Sequence, residues 1–417
     1  MPVAAPAALA KTQPTPTATN LPSSPRPTPV PTIAPSPTPV IRTLQQRFTA
    51  RRGDSVIRPA PAVIHIQRTT DDPLKINLLL FDLTAPQFDL QTQIGAGWLS
   101  GRYRTSQIAA ENKALASVNG DLFSEDGIPQ GLTIIDSQVV IAPKHRATFA
   151  WSRNREPFIG YFTDQWTWNA QVTTPNGASA PIAQLNTSCK DDTICLYNRF
   201  ARVVPQRVGD VKVLLDANNR VISIVRESRV HVLTDTQVLE STGKGARWLT
   251  QQIAVGDQLK IDIDTTPALS NYAQASSGGP VILRDGAYVE DCLCSLRDCR
   301  GVEAKERGLL CEDFTADWKR RHYRWVRMPR TGIGYDKQKQ TLIIAVVDGY
   351  QRGYSRGITQ AEFASLLQEF GADTAMELDG GGSATMVVKN KVVNRPPDAS
   401  GERYVANALL FFWNESR

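Results

Sequence analysis

Histidine is scarce in this 417-residue chain: His65, His145, His231 and His322 stand far apart, with no H-E-x-x-H or similar metal spacing. The chain also lacks a G-x-S-x-G elbow, a Walker A loop and a dinucleotide fingerprint, so serine-hydrolase, P-loop and Rossmann chemistries have no motif to rest on. Long hydrophobic runs are missing too. A membrane-spanning helix needs roughly 18 to 20 apolar residues, whereas Ile76–Phe81 and Leu342–Val347 are strand-sized. Residues Met1–Ala10 have no basic start and only a short, proline-broken apolar stretch, so no signal peptide is expected there.

Acid is lacking at one end. From Met1 to Thr70, eight Lys and Arg face a single carboxylate, Asp54, a local balance of +7 against +6 for the whole chain. The remaining body is therefore close to neutral. A basic chain suggests a polyanionic partner, but here the charge belongs to one segment, and no nucleic-acid partner is expected. The run Arg320-Arg321-His322-Tyr323-Arg324-Trp325 mixes bases with aromatics and reads as a solvated rim. Overall, 41% hydrophobic and 21% charged residues suit a globular body with a large core.

Residues Met1–Val40 hold twelve of the 27 prolines and no aromatic or acidic residue. Such a stretch cannot offset its conformational entropy by burial, so residues 1–45 are expected to be a disordered, polyproline-like tether, suited to holding a domain at a membrane or envelope surface. Six cysteines fall into two groups, Cys189 and Cys195, then Cys292, Cys294, Cys299 and Cys311. An even count, irregular spacing and no nearby histidine favour disulfides over zinc, and hence an extracytoplasmic location. Cys189 with Cys195, plus two bridges within the second group that do not join Cys292 to Cys294, is the expected pairing.

Residues 46–417 are expected to form one domain. Short β-type runs dominate from Val63, with a first helix at Ser106–Lys113. Residues 180–265 turn to polar-rich strands, among them Val211–Leu215 and Val221–Val225 about an Ala217-Asn218-Asn219-Arg220 turn. They read as an inserted β subdomain, and residues 291–329 as a cysteine-rich insertion at the rim. Near the end, Thr359 as N-cap, Glu362 three positions on, and Gly371 as a stop frame a helix between the strands Thr341–Val347 and Ala375–Leu378. This order predicts a βαβ crossover and a mixed sheet. The expected class is α+β, a mixed β-sheet core with flanking helices.

The chemistry concentrates in Ala375-Met376-Glu377-Leu378-Asp379-Gly380-Gly381-Gly382-Ser383-Ala384-Thr385-Met386. Side chains alternate along a strand, so Met376 and Leu378 can face a core while Glu377 and Asp379 share the other face, roughly 6 to 7 Å apart. Three glycines let backbone N–H groups approach an anion, and Ser383 and Thr385 add hydroxyls. A plain tight turn with solvated acids is the bland alternative. Asp348-Gly349 puts another acid at a strand end, though Asp-Gly is also a common turn. Asn119-Gly120-Asp121 needs the same caution. Arg330 precedes a glycine-flanked strand and suits a bidentate grip on phosphate.

These elements occur together with Ser117-Val118 and Phe123, Gly278-Gly279-Pro280-Val281 leading to Asp285-Gly286, Arg330-Thr331-Gly332-Ile333-Gly334, and Asn394-Arg395-Pro396. In that order they resemble the phosphodiester glycosidase family, over roughly Val63 to Trp413. The resemblance implies hydrolysis of a sugar-1-phosphodiester at the anomeric C–O bond, on a cell-envelope or exopolysaccharide substrate, without a cofactor. Asp379 would be nucleophile or base, with Asp348 and Glu377 as alternatives. Phosphate would be held by Arg330, the Gly380, Gly381 and Gly382 amides, Ser383 and Thr385, and Asn119 would bind a sugar hydroxyl or phosphate oxygen. Two positions depart from the family pattern, Asp121 and Glu377, both adding a carboxylate. They keep open a non-catalytic carbohydrate-binding or polysaccharide-assembly protein, and Asp121, Asp348 and Asp379 together keep open a divalent cation.

Overall fold

The computed structural model describes Leu44 and residues 50–162, 168–289, 293–294, 312–313 and 323–415. The tether and the expected pairing among Cys292, Cys294, Cys299 and Cys311 lie outside the described residues.

The central sheet is built from β1 (Ser55–Ala60), β2 (Val63–Thr69), β3 (Lys75–Asp82), β4 (Val281–Arg284), β5 (Ala287–Tyr288), β6 (Arg330–Tyr335), β7 (Thr341–Val347) and β8 (Thr374–Glu377). Its order is β1-β2-β3-β7-β6-β8-β4-β5, and every neighbouring pair is antiparallel. The mixed sheet expected from the crossover is therefore wrong for a specific reason. β7 and β8 do run parallel, joined through a helix, but β6 lies between them and pairs antiparallel with both.

The α+β class is corrected as well. Three α-helices occur among the described residues, α1 (Thr105–Glu111), α2 (Gly243–Gln252) and α3 (Gln360–Glu369), and those residues are 44% strand against 11% helix, a β-rich fold. Helix α3 carries the clearest local signature in the chain, but it is one of few helices on a β-rich body. Thr359 accepts from the Glu362 amide and Glu362 reaches back to the Thr359 amide, a complete capping box. Gly371, at φ +94°, takes the left-handed conformation that ends the helix.

β7 is buried on both faces, which explains its unbroken apolar sequence. On one side Ile343, Ala345 and Val347 meet Phe363, Leu366 and Leu367 of α3. On the other, Leu342, Ile344 and Val346 join Met376 and Leu378 in a core shared with strands Phe88–Ile94, Ala116–Asn119, Thr148–Ser152 and Asn407–Trp413. Phe81 stacks on Phe411 at 4.7 Å between ring centroids.

Strands from Asn169 to Asp264 form a separate seven-stranded sheet with its own core, covered by Ala246 and Leu249 of α2. Its Ser179–Leu185 and Ile194–Tyr197 strands run parallel, and the Cys189–Cys195 disulfide lies in the chain that joins and enters them.

Candidate active site

β8 ends at Glu377, and the chain turns through Gly380 into a 3₁₀ turn, Gly381–Ser383. Alternation along this segment does what its pattern requires: Met376 and Leu378 enter the core, while Glu377 and Asp379 line a cavity of ≈ 320 Å³. Arg330, Gln360, Tyr323, Tyr350, Arg403 and the three glycines complete most of the wall.

Glu377 is buried and held on both sides. Its Oε1 accepts from Arg330 Nη1 at 2.5 Å and its Oε2 from Gln360 Nε2 at 3.2 Å. Gln360 is the first residue of α3, so the capping box that starts the helix also sets this contact. Arg330, the first residue of β6, is only 4% exposed at its side chain. Its Nε donates to the Ile358 carbonyl at 2.8 Å and its Nη2 to those of Tyr323 and Val326 at 2.5 and 3.2 Å. The guanidinium expected to grip phosphate is thus occupied by Glu377 and three carbonyls.

Asn119 sits at the end of strand Ala116–Asn119, fully buried. Its Nδ2 donates to the Asp379 carbonyl at 2.6 Å, and its Oδ1 accepts from Thr331 Oγ1 and the Thr385 amide. With the Asp379 amide donating to the Gly120 carbonyl at 2.9 Å, both backbone groups of Asp379 are clamped by the same Asn-Gly turn. Asn119 therefore positions the acid, and it is fully buried outside the residues that line the cavity. In the glycine loop, the Gly381 amide donates to the Pro329 carbonyl at 2.9 Å. The Gly380 and Gly382 amides have no partner among the described residues. Ser383 Oγ and Thr385 Oγ1 are buried with no hydrogen-bond partner among the described residues, and neither residue is among those lining the cavity.

Asp348 and Asp121 stand outside the cavity wall. Asp348 accepts from Asn394 Nδ2 at 2.9 Å and from the Arg395 amide, and burial raises its pKa despite these donors. Asp121 pairs with Arg146 Nη2 at 3.3 Å and takes the Gly131 amide at 2.7 Å, and burial likewise raises its pKa. Of the two departures from the family pattern, Glu377 lines the cavity and Asp121 does not. Among the described residues no group of three or more His, Cys, Asp or Glu is placed to hold a metal ion.

Residues 212–412 match the model of the family described as Phosphodiester glycosidase. The chain resembles that family over this span. Arg330, Asp348, Glu377, Asp379 and the glycine loop all fall within it, and Asn119 precedes it. The chain is 37% identical over 73 residues to the N-acetylglucosamine-1-phosphodiester alpha-N-acetylglucosaminidase of Mus musculus, covering 18% of this chain and 14% of that protein. Two crystal structures share the fold. A hypothetical protein from Synechocystis matches with a TM-score of 0.66 and 19% identity, over 87% of this chain and 64% of that one. A Burkholderia pseudomallei protein provisionally described as exported matches with a TM-score of 0.63 and 22% identity, over 82% and 74%.

Sequence reasoning missed Gln360, Tyr323, Tyr350 and Arg403 as wall residues. Gln360 was visible only as a helix start. Tyr350 follows Asp348-Gly349 with φ +58°, an uncommon conformation for an aromatic residue, which no local pattern announces.

Proposed function

We propose that this protein hydrolyses a sugar-1-phosphodiester at the anomeric C–O bond, releasing free sugar and a phosphomonoester. The observation that carries the reading is the juxtaposition of Asp379 with the Gly380–Gly382 loop in one cavity, inside the segment that resembles phosphodiester glycosidases. A phosphomonoester, with a second pKa of about 6, is a good leaving group, so the reaction needs little help from a general acid. What it needs is a carboxylate for the oxocarbenium-like centre and donors for the phosphate.

Asp379 is the nucleophile or base in this scheme. It lines the cavity part-exposed, on a backbone held by Asn119 and Gly120. Glu377, with both oxygens occupied, supplies a fixed negative charge beside it, and Arg330 and Gln360 keep that charge in place. The Gly380 and Gly382 amides remain to accept an anion. An extracytoplasmic location and a cell-envelope or exopolysaccharide substrate are part of the proposal. They draw support from the Cys189–Cys195 disulfide and the proline-rich leader.

Turnover of a panel of sugar-1-phosphodiesters in oxygen-18 water tests this directly. Label is expected in the released sugar. Label in the phosphate would mean P–O cleavage, and binding without release of reducing sugar would make this a carbohydrate-binding protein.

A further inference from the structure

With Arg330 committed to Glu377 and three carbonyls, the cavity needs another cation if it is to hold a phosphate. Arg403 stands at its wall. A Cβ added to Gly382 would lie 2.0 Å from Arg403 Nη2 and 2.3 Å from its Cζ, so the guanidinium rests against the glycine loop, and only glycine leaves it that room. Asp398 holds the fork through Nε at 2.9 Å and Nη2 at 3.2 Å. Nη1 has no partner among the described residues, and the side chain is 45% exposed, against 4% for Arg330.

Arg403 also lines a second cavity of ≈ 370 Å³, with Arg102, Asp398, Ser400, Glu402 and Tyr404. A phosphodiester carries an organic group on each side of phosphorus, and a cation bordering two cavities can hold its non-bridging oxygens while one group lies in each. Among the arginines of the main cavity, Arg403 borders both and Arg330 does not.

We infer that Arg403, oriented by Asp398 and seated on Gly382, is the residue that binds the substrate phosphate. The sugar then lies toward Asp379, and the polar group beyond the phosphate lies in the second cavity. Guanidinium and the Gly380 and Gly382 amides together make an anion site of mixed charge and backbone donors. This assignment rests on the phosphodiester reading for its substrate, but the anion site itself can be tested without turnover.

Methyl phosphate binding to the full chain, followed by ³¹P NMR titration, is the probe, with Arg403→Met and Arg403→Lys compared to wild type. Arg403→Met should weaken methyl phosphate at least tenfold with an unchanged melting temperature. Arg403→Lys should fall between the two, because an ammonium cannot reproduce the fork on Asp398, and it serves as the test should the Met variant fail to fold. On the diester panel, Arg403→Met should lower kcat/KM at least tenfold. Equal methyl phosphate affinity in wild type and variants, no saturable binding to wild type, or undiminished turnover by Arg403→Met would overturn the assignment. Arg403-dependent binding with no sugar released from any diester would leave it standing and overturn the hydrolase reading instead.

Discussion

Glu377 and Asp379 are two residues apart on one face, yet their surroundings give them different work. The Glu377 carboxylate is committed to Arg330 and Gln360, while the Asp379 backbone is clamped and its side chain stands at the cavity. Asp379→Asn should lower turnover by roughly 10²- to 10⁴-fold, the usual contribution of a positioned acid or base, and leave the melting temperature intact. An active Asp379→Asn enzyme would move the chemistry to Glu377. Asp348 answers a different test. Burial raises its pKa in the folded chain, so between the unfolded value near 3.9 and that raised value the folded state binds more protons, and stability falls as pH rises. Asp348→Asn mimics the protonated acid. Its melting temperature should gain on wild type as pH rises from about 4 toward 7; a gap that shrinks with pH would show that the donors around Asp348 outweigh its burial.

At the scale of elements, α3 links stability to the site, since its capping box precedes Gln360 and its Phe363 lies on β6. Thr359→Ala should cost about 1 kcal/mol, typical of a lost N-cap, read by urea denaturation. A Cβ on Gly332 would lie 2.5 Å from Phe363 Cε1 and 3.1 Å from the Met376 carbonyl. Gly332→Ala should therefore cost about 1–3 kcal/mol by overpacking, and should also reduce turnover, because it displaces the strand that carries Arg330. A fully stable and active Gly332→Ala protein would mean that the contact yields. Helix α3 was legible almost residue by residue, because a cap, a box and a glycine stop are local chemistry. The partners of β7 and β8 were not. Inserting β6 between them turned a parallel pair into two antiparallel ones, and that choice depends on registers across distant segments.

On the scale of the whole molecule, the charge of +6 is concentrated in the first seventy residues, which run from the proline-rich segment into β1 and β2. Residues 1–41, rich in proline and without an aromatic or acidic residue, have a composition that offers no core. Deleting them should leave melting temperature and turnover on soluble diesters unchanged; a loss of either would give the leader a role in the fold. The near-neutral body leaves phosphate recognition to local groups, and there sequence and tertiary structure divide. The short strands, the α3 helix, the alternation that puts Glu377 and Asp379 on one face, and the glycine loop beside them were legible in the residues alone, because they follow from side-chain period and backbone freedom within a few residues. Which polar group faces which depends on contacts between distant segments, as in the Arg330–Glu377 pair and the Asn119–Asp379 clamp. Arg330 and Asn119 look like ligand-binding residues in isolation, but burial obliges each to satisfy its donors within the protein. Arg403, marked by no motif, keeps part of its guanidinium unspent because a distant glycine leaves space for it.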